Sequence, residues 1–267
     1  MNQDTTKDIF VARPDPKQII LSNIPQSIEA GSCIAITAQT TDEFGIPLVV
    51  DSDYSFDLVS SFSSTDLVSG FYLSSSCSGS RVFSAKILAE SSDLQLYIKP
   101  VKTGSFYVST NRQNVTSNQR SFSVGPSAIT KIGFITDPPS FIQKNFGISL
   151  NAGYYDSFDN LIVQSGLPPI TLSLVSSIIN SDQSTYLSAV SLTESPSTNS
   201  GVSSFSEVTV SSSGRFKFKL SGNALVKISE TETFVSAESI LGSKVTDPAT
   251  SLARGAVVLT DNELIYG

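Results

Sequence analysis

The sequence lacks histidine and tryptophan altogether, and its 267 residues include only two cysteines and one methionine. Without histidine, neither a Ser-His-Asp nor a Cys-His catalytic arrangement can form. A zinc site of the usual kind also lacks its ligands, because one cysteine pair without histidine leaves the metal two donors short. We therefore predict that the protein is not an enzyme and that it needs no cofactor, with calcium as the one alternative considered below.

Charge is also sparse: 15% of the residues are charged, and the net charge is −7. An acidic chain does not neutralise phosphates, so we expect no nucleic-acid partner. No run approaches the ~18 apolar residues that a membrane span needs, so we expect no membrane insertion. The stretch Met1–Lys7 lacks the apolar core of a signal peptide. A cytoplasmic protein and an excised part of an exported one both remain open. The Ser- and Thr-rich composition favours an extracellular location.

Short sequence stretches recur at one spacing. Thr41–Ile46 returns loosely as Tyr155–Asn160, and Leu58–Ser61 returns as Leu174–Ser177, at offsets of 114 and 116 residues. A repeat of this length indicates duplicated domains. Alternating apolar residues predict strands with one buried face. The matched positions are Ile34 with Ile148, Phe56 with Leu172, Phe106 with Phe216 and, roughly, the Leu94–Ile98 segment with Val208 and Val210.

This pattern predicts an all-β protein of two tandem immunoglobulin-like antiparallel β-sandwiches. The expected boundaries are a disulfide-containing sandwich at residues 16–126 and a second sandwich at 127–236. Residues 1–15 form an N-terminal extension. Residues 237–267 form a C-terminal extension or the start of a further module. Within this tail, the apolar runs at 255–259 and 263–266 indicate one or two more strands.

Both cysteines, Cys33 and Cys77, lie in the first copy, and Gly147 stands in the second copy where Cys33 stands in the first. A disulfide between them would close a loop of about 44 residues and stabilise the fold by roughly 3–4 kcal/mol. Two reduced thiols are the alternative. We favour the disulfide, because the polar segment Ser75–Gly79 is unsuited to a buried free thiol. In the alternation of inward and outward positions, Cys33 falls at an outward one. We therefore expect the disulfide to link the edge of the sheet and not to fill the core.

Two aspartates mark a turn in each copy. Asp42 and Asp156 can accept hydrogen bonds from backbone N–H groups two residues on, and Gly45 or Asn160 can adopt a positive φ. The alternative is a calcium site, formed either by Asp156, Asp159 and Asn160 or by a cluster of Asp42, Glu43, Asp51 and Asp53. Neither set has the spacing of a known calcium loop, so we favour the turn. We expect the copies to share their buried faces and to differ in the cysteines and in this turn.

The first copy also resembles a known family. Ala30-Gly31-Ser32-Cys33 precedes an alternating strand, Thr41–Pro47 follows it, and Gly70–Cys77 supplies a Phe-Tyr pair and the second cysteine. This order is similar to the bacterial immunoglobulin-like (Big-type) repeats of large surface and adhesin proteins. The resemblance covers residues 17–125 and, more weakly, 128–235. It implies tandem sandwiches on the cell exterior without catalytic residues.

The function expected from these features is a structural or adhesive module, a spacer or stalk whose partners are other modules of the same parent protein. One alternative is an adhesin module that binds a host or prey surface glycan or protein. Tyr154 and Tyr155 cannot form one aromatic platform for it, because adjacent strand residues face opposite ways. The other alternative is self-association into a filament by β-strand addition. The candidate donor segments are Ile9, Phe10 and Val11 at the start, and Val257, Val258 and Leu259 near the end.

Overall fold

The computed structural model describes residues 13–176, 196–197, 200–211 and 213–236, together with the backbone of short strands at 192–194, 256–258 and 264–266. The described residues form strands and turns without a helix, so none of them builds a helix long and apolar enough to cross a membrane. The chain divides into two compact units, Met1–Ser127 and Ala128–Gly267. We call them unit 1 and unit 2.

Unit 1 is a β-sandwich. Its two sheets have the strand orders β5-β7-β3-β1-β9 and β2-β10-β8-β4-β6. In chain order the strands are β1 (Gln18–Ser22), β2 (Ser27–Glu29), β3 (Ile34–Thr41), β4 (Tyr54–Ser60), β5 (Gly70–Tyr72), β6 (Ser84–Ile87), β7 (Asp93–Lys99), β8 (Gly104–Asn111), β9 (Thr116–Ser117) and β10 (Arg120–Gly125). Most neighbours are antiparallel. The exceptions are β1 with β9 and β2 with β10, which are parallel.

Unit 2 repeats this plan with sheets of order β11-β13-β16 and β12-β19-β17-β14-β15, and β18 also pairs with β17. Its strands are β11 (Lys131–Phe134), β12 (Phe141–Gln143), β13 (Ile148–Tyr155), β14 (Ile170–Ser176), β15 (Leu192–Glu194), β16 (Val202–Val208), β17 (Gly214–Gly222), β18 (Leu225–Ile228) and β19 (Thr233–Ser236). Two further strands, β20 (Ala256–Val258) and β21 (Leu264–Tyr266), pair as an antiparallel hairpin. They lie in the tail runs where the sequence indicates further strands.

The core of each unit lies between its two sheets and follows the period-2 alternation of the sequence. In unit 1 the inward residues Ile36, Leu96 and Val108 are fully buried. In unit 2 Leu150, Phe205 and Phe218 occupy the matching strands and are equally buried. Burial of side chains of this size contributes about 1.5–3 kcal/mol each. The predicted all-β sandwich fold is confirmed.

The expected rough match of the Leu94–Ile98 segment to Val208 and Val210 is right at Val208, since Ile98 pairs with Ile34 and Val208 pairs with Ile148, but it misses Phe205. Leu96 pairs with Ile36, whereas the residue that pairs with Leu150 in unit 2 is Phe205. The register shifts between Ile148 and Leu150, and Glu207, with φ of 56°, lies in the shifted segment. A bulge of this kind adds a residue to one strand, so a constant sequence offset no longer pairs the right residues.

Phe106 and Phe216 share a local arrangement as well as a sequence position. Each lies two residues after the glycine that starts its strand. These glycines are Gly104, with φ of 141°, and Gly214, with φ of 137°. A Cβ atom added to the glycine would lie 3.6 Å from the phenylalanine ring in unit 1 and 3.5 Å from it in unit 2. Covering a strand glycine with an aromatic ring offsets the missing side chain. Phe216 is buried, and the half-buried Phe106 packs against Phe62 at a centroid distance of 5.4 Å.

Candidate functional site: terminal strand pairs, disulfide and Asp turns

The first and last segments of unit 1 meet in a parallel pair. Strand β2 lies beside β10, with Ser27 opposite Ser123 and Glu29 opposite Gly125. The pairing continues past both strand ends: the Ser123 N–H donates to the Gln26 carbonyl at 2.8 Å, and the Ala30 N–H donates to the Gly125 carbonyl at 2.8 Å. Backbone hydrogen bonds therefore join the part of the chain that enters the unit to the part that leaves it.

Unit 2 repeats this pair. Strand β12 runs parallel to β19, with Phe141 opposite Phe234 and Gln143 opposite Ser236. The Phe234 N–H donates to the Ser140 carbonyl at 2.9 Å, as Ser123 does to Gln26 in unit 1. The Phe141 and Phe234 rings stack at a centroid distance of 6.0 Å. No motif marks this relationship, because the paired residues are far apart in sequence and differ in type between the units.

The two ends of unit 1 lie at opposite poles. The chain enters where β3 ends, since Gln18 pairs with Thr41. It leaves where β3 begins. Gly125, the last residue of β10, pairs with Glu29, and the Gly31 N–H donates to the Pro100 carbonyl at 2.7 Å. Both contacts lie close to Ile34, the first residue of β3. A strand of eight residues separates these poles by about 24 Å. The strands therefore run along the line that joins the entry and exit of the chain.

Cys33 and Cys77 form a disulfide with a Cα–Cα distance of 5.7 Å. Cys33 immediately precedes the inner strand β3, and Cys77 follows the edge strand β5. Cys77 is buried and has φ of 48°. The bond therefore holds the loop after an edge strand against an inner strand of the same sheet. Unit 2 has Gly147 before β13, in the place that Cys33 holds before β3.

The Asp turn is the same in both units, so the expectation that the copies differ here is wrong. In unit 1 Asp42 Oδ1 accepts hydrogen bonds from the Phe44 N–H at 2.9 Å and the Ile46 N–H at 2.8 Å. In unit 2 Asp156 Oδ1 accepts from the Phe158 N–H at 2.8 Å and the Asn160 N–H at 2.9 Å. The backbone bonds match too, since Asp42 donates to Ile46 O at 2.9 Å and Asp156 to Asn160 O at 3.1 Å.

The positive φ falls on Gly45 in unit 1, at 83°, and on Asp159 in unit 2, at 62°. The expectation that Asn160 takes this conformation is wrong. Aspartate tolerates the left-handed region better than most residues, because its short polar side chain bonds locally. The carboxylate of the first aspartate holds the turn in either case, so the replacement of Gly by Asp leaves the geometry unchanged.

The calcium candidates Asp156, Asp159 and Asn160 lie together, but their oxygens face protein partners. Asp156 is fully buried, and its Oδ2 accepts a hydrogen bond from Asn160 Nδ2 at 2.8 Å. Asp159 pairs with Lys131 at 2.6 Å. Within the part of the chain that the structure describes, no group of three or more His, Cys, Asp or Glu residues could hold a metal ion. These contacts favour turn chemistry, and calcium stays an untested hypothesis.

Two acidic residues of the other cluster, Asp51 and Asp53, also have cationic partners. Asp51 lies 3.2 Å from Arg13. Asp53 lies 2.7 Å from Lys86, and the hydrogen bonds from Lys86 and the Ala89 N–H lower the pKa of this carboxyl. Exposed ion pairs of this kind contribute little stability. The pair with Asp51 places Arg13 at the entry pole.

The tyrosines do not form a platform. Tyr154 is fully buried, and its hydroxyl donates to the Pro169 carbonyl at 3.3 Å. Tyr155 is half-buried on the other face of β13. Burial raises the pKa of both phenols.

Of the strand-addition candidates, Val257 and Val258 lie in β20 and pair with Ile265 and Leu264 of β21. Ile9, Phe10, Val11 and Leu259 lie outside the described residues.

The geometry defines a tandem immunoglobulin-like β-sandwich chain. No family model matches the sequence, and no curated protein matches it. Solved structures do match. The Escherichia coli adhesin FdeC is 14% identical, with 85% of this chain and 66% of that one covered, at a TM-score of 0.36. The Yersinia pseudotuberculosis adhesin InvE is 12% identical, with 82% and 58% covered, at 0.34.

A β-glycosidase from Bacteroides vulgatus matches at a similar score, 8% identical with 82% of this chain and 25% of that one covered, at a TM-score of 0.31. The three matched structures are thus two bacterial adhesins and one glycosidase. The chain spans less than two thirds of the length of each of these three structures. At these identities the likeness concerns the fold alone.

Proposed function

We propose that the chain is a non-enzymatic spacer or stalk segment of a bacterial cell-surface or secreted fibre protein. The observation that supports this role is the parallel pairing of the entering and leaving segments, β2 with β10 and β12 with β19, which both units repeat. The features shared by the two units, namely the buried faces, the Asp turn and this pair, are all structural. Its immediate partners are then other modules of the same parent protein.

Strand direction explains how such a module resists force. The ends of unit 1 lie at opposite poles, so tension on the chain acts along the strands. The ladder hydrogen bonds run across the strands. Tension therefore loads the β2–β10 bonds together, in shear, rather than opening them one at a time. Forced unfolding is governed by the unfolding rate, and this geometry raises the barrier to that step.

The Cys33–Cys77 disulfide fits a location outside the cell. Disulfides persist in oxidising compartments and are rare in the cytosol. The bond also places 44 residues of sequence within a closed covalent loop. Tension then passes through the sulfur bridge and does not extend the chain inside the loop.

The test is single-molecule pulling of the full chain through its two ends. Ser123→Pro removes the N–H that bonds Gln26 O in the β2–β10 pair. The control is Ser121→Pro, on the exposed face of the same strand, where β10 no longer faces β2. We expect Ser123→Pro to lower the unfolding force of unit 1 by more than Ser121→Pro. Unit 2 serves as the internal reference in each trace. Equal losses of force in the two variants would contradict the spacer mechanism.

A cleft in unit 1 supports the adhesive alternative. It has a volume of about 420 Å³ and lies among residues of β4, β5 and the loops beside them. The Arg81 guanidinium lies 5.5 Å from the centroid of the Phe83 ring, which is 69% exposed. An exposed aromatic ring in a cleft offers apolar surface to a sugar ring, which suits a glycan. A glycan array with wild-type chain and Phe83→Ala tests it: hits that disappear in the variant support binding, and an array without hits argues against a glycan.

A further inference from the structure

Residues 81–83 connect the two sheets of unit 1. The Val82 N–H donates to the Phe71 carbonyl of β5 at 2.9 Å, and the Phe83 carbonyl accepts a hydrogen bond from the Leu58 N–H of β4 at 2.8 Å. All of these residues line the unit 1 cleft of about 420 Å³. The connecting segment is therefore part of the cleft, and its backbone hydrogen bonds tie it to a strand of each sheet.

Arg81 is held in one position at this cleft. Its Nη1 donates to the Asp66 carbonyl at 2.7 Å and to the Ser69 carbonyl at 3.0 Å. Its side chain also passes close to Gly70, since a Cβ atom added to this glycine would lie 2.6 Å from Arg81 Cδ and 3.1 Å from Cγ. A glycine at such a place allows a close approach that no larger residue permits. Two carbonyls and one glycine thus position the guanidinium before a ligand binds.

The guanidinium keeps donors for a ligand. It has five N–H groups in a planar fork, and the two bonds to carbonyls both come from Nη1. Among the residues that the structure describes, none accepts a hydrogen bond from Nη2 or Nε of Arg81. The Asp66 carboxylate is bonded elsewhere, because its Oδ1 accepts from the Val68 and Ser69 N–H groups at 2.9 Å each. Nη2 and Nε together can therefore bind a carboxylate with two parallel hydrogen bonds.

The rest of the cleft suits a sugar. Phe83 is 69% exposed, and the guanidinium carbon of Arg81 lies 5.5 Å from the centroid of its ring, so one sugar residue can reach both groups. The hydroxyl-bearing residues Ser60 and Ser64 also line the cleft, and neither is buried. A volume of about 420 Å³ lies within the range of pockets for small ligands, roughly 300–1,000 Å³.

A peptide fits this cleft less well. Peptides that bind beside a sheet use the free N–H and C=O groups of a strand edge. Here the Val82 N–H and the Phe83 carbonyl are already bonded to Phe71 and Leu58. Recognition at residues 81–83 is therefore left to side chains, which favours a ligand whose own groups are hydroxyls and a carboxylate.

We propose that the cleft binds a sugar residue that carries a carboxylate, as uronic and sialic acids do. The carboxylate binds Nε and Nη2 of Arg81, and the sugar ring lies against Phe83. This inference rests on the glycan-binding alternative given under the proposed function and names its ligand class. The chain has a net charge of −7, so it does not attract acidic glycans as a whole. Binding then depends on the one positioned guanidinium.

The test compares full-length variants on an array of carboxylated, sulfated and neutral glycans. Arg81→Lys keeps the charge but loses the planar fork. Gly70→Ala keeps Arg81 but displaces its side chain. Arg120→Lys is the matched control, because Arg120 is exposed on β10 and does not line the cleft. We expect wild type to bind carboxylated glycans, Arg81→Lys and Gly70→Ala to bind them at least tenfold more weakly, and Arg120→Lys to bind them as wild type does.

A second measurement needs no variant, which covers the case in which a substitution disturbs folding. The methyl glycosides of glucuronic acid and glucose differ only in the carboxylate. In an NMR titration of the wild-type chain, the glucuronide should shift the amide signals of residues 81–83 and bind at least tenfold more tightly than the glucoside.

The outcomes separate this inference from the proposal on which it rests. Equal binding of the two glycosides, or sulfated glycans that bind as tightly as carboxylated ones, would overturn the carboxylate site and leave the glycan-binding alternative in place. An array without any hit, together with no shift by either glycoside, would overturn both. Each of these results leaves the pulling experiment on the spacer role unaffected.

Discussion

The side-chain amide of Asn118 makes both hydrogen bonds to Leu21 that a neighbouring strand would make. Its Oδ1 accepts from the Leu21 N–H at 2.7 Å, and its Nδ2 donates to the Leu21 carbonyl at 3.1 Å. Strand β9 has only two residues, and the Asn118 side chain extends its row of hydrogen bonds along the edge of β1 to Leu21. This is an economical way to protect an edge strand from pairing with another molecule.

Asn118→Ala should expose the end of the β1 edge. Loss of the two bonds leaves both backbone groups of Leu21 to find water, at a cost of about 1–3 kcal/mol. Hydrogen exchange of the Leu21 amide, followed by NMR in the full chain, should speed up. Gln119→Ala is the control, since Gln119 is the next residue and its side chain is exposed. Unchanged protection of Leu21 in Asn118→Ala would show that the side chain does not hold this edge.

Loss of the aspartate should destabilise the two units by different amounts, although the hydrogen bonds of the two Asp turns match. Asp156 is fully buried and also accepts from Asn160 Nδ2, whereas Asp42 is half-buried. We expect Asp156→Ala to lower the free energy of unfolding by about 2–3 kcal/mol and Asp42→Ala by about 1 kcal/mol, because buried donors left unsatisfied cost most. Urea unfolding of the full chain measures both.

Calcium provides the control for this prediction. If the turn is held by the carboxylate alone, added calcium and a chelator leave the Tm of the wild-type chain unchanged. A Tm that rises with calcium in the wild-type chain but not in Asp156→Ala would instead support the metal site at Asp156, Asp159 and Asn160.

Breaking the disulfide should affect unit 1 alone. Replacement of both Cys33 and Cys77 by alanine should lower the stability of unit 1 by about 3–4 kcal/mol, since the open chain regains the entropy of its loop. In a pulling experiment the same change should add about 150 Å to the extension released by unit 1, as 44 more residues unravel. An unchanged extension in the double variant would show that the sulfur bridge does not carry the tension.

Stability should fall at alkaline pH, and Tyr154 is one of the residues that cause the fall. Burial raises the pKa of this phenol above its usual value of 10.0. The unfolded chain then releases its proton before the folded chain does, so the contribution of Tyr154 to stability is constant below about pH 10 and declines as pH rises above it. Urea midpoints at pH values from about 9 to about 11 measure the decline. Tyr154→Phe should make this decline less steep, while Tyr107→Phe, at an exposed position, is the control. A slope as steep in Tyr154→Phe as in the wild-type chain would assign the decline to other groups.

The alternation of apolar residues was sufficient to predict the sandwich and most of its buried positions. Ile36, Phe56 and Leu172 face inward as predicted, because in a strand the side-chain direction follows from position alone. Phe205 was missed, since a bulge between Ile148 and Leu150 shifts the pairing and a constant offset cannot find it.

The Asp turn shows the opposite error. Its sequence differs between the units, with Gly45 in one and Asp159 in the other, so a difference in structure was expected. The turn is nevertheless kept, because its geometry depends on one carboxylate that reaches two backbone N–H groups. Side-chain identity at the left-handed position matters less than the residue that accepts those bonds.

The sequence by itself determined the β architecture, its duplication and the capacity for a single disulfide, since these follow from residue type and local periodicity. Only the tertiary structure decided which edges pair. The contacts of β2 with β10, of Asn118 with Leu21 and of β18 with β17 join residues whose types carry no pairing code, because backbone N–H and C=O groups are the same in every residue except proline. For this reason the sequence does not distinguish the edge of β1, which β9 and Asn118 cover, from the edge of β11, which has no partner among the described strands.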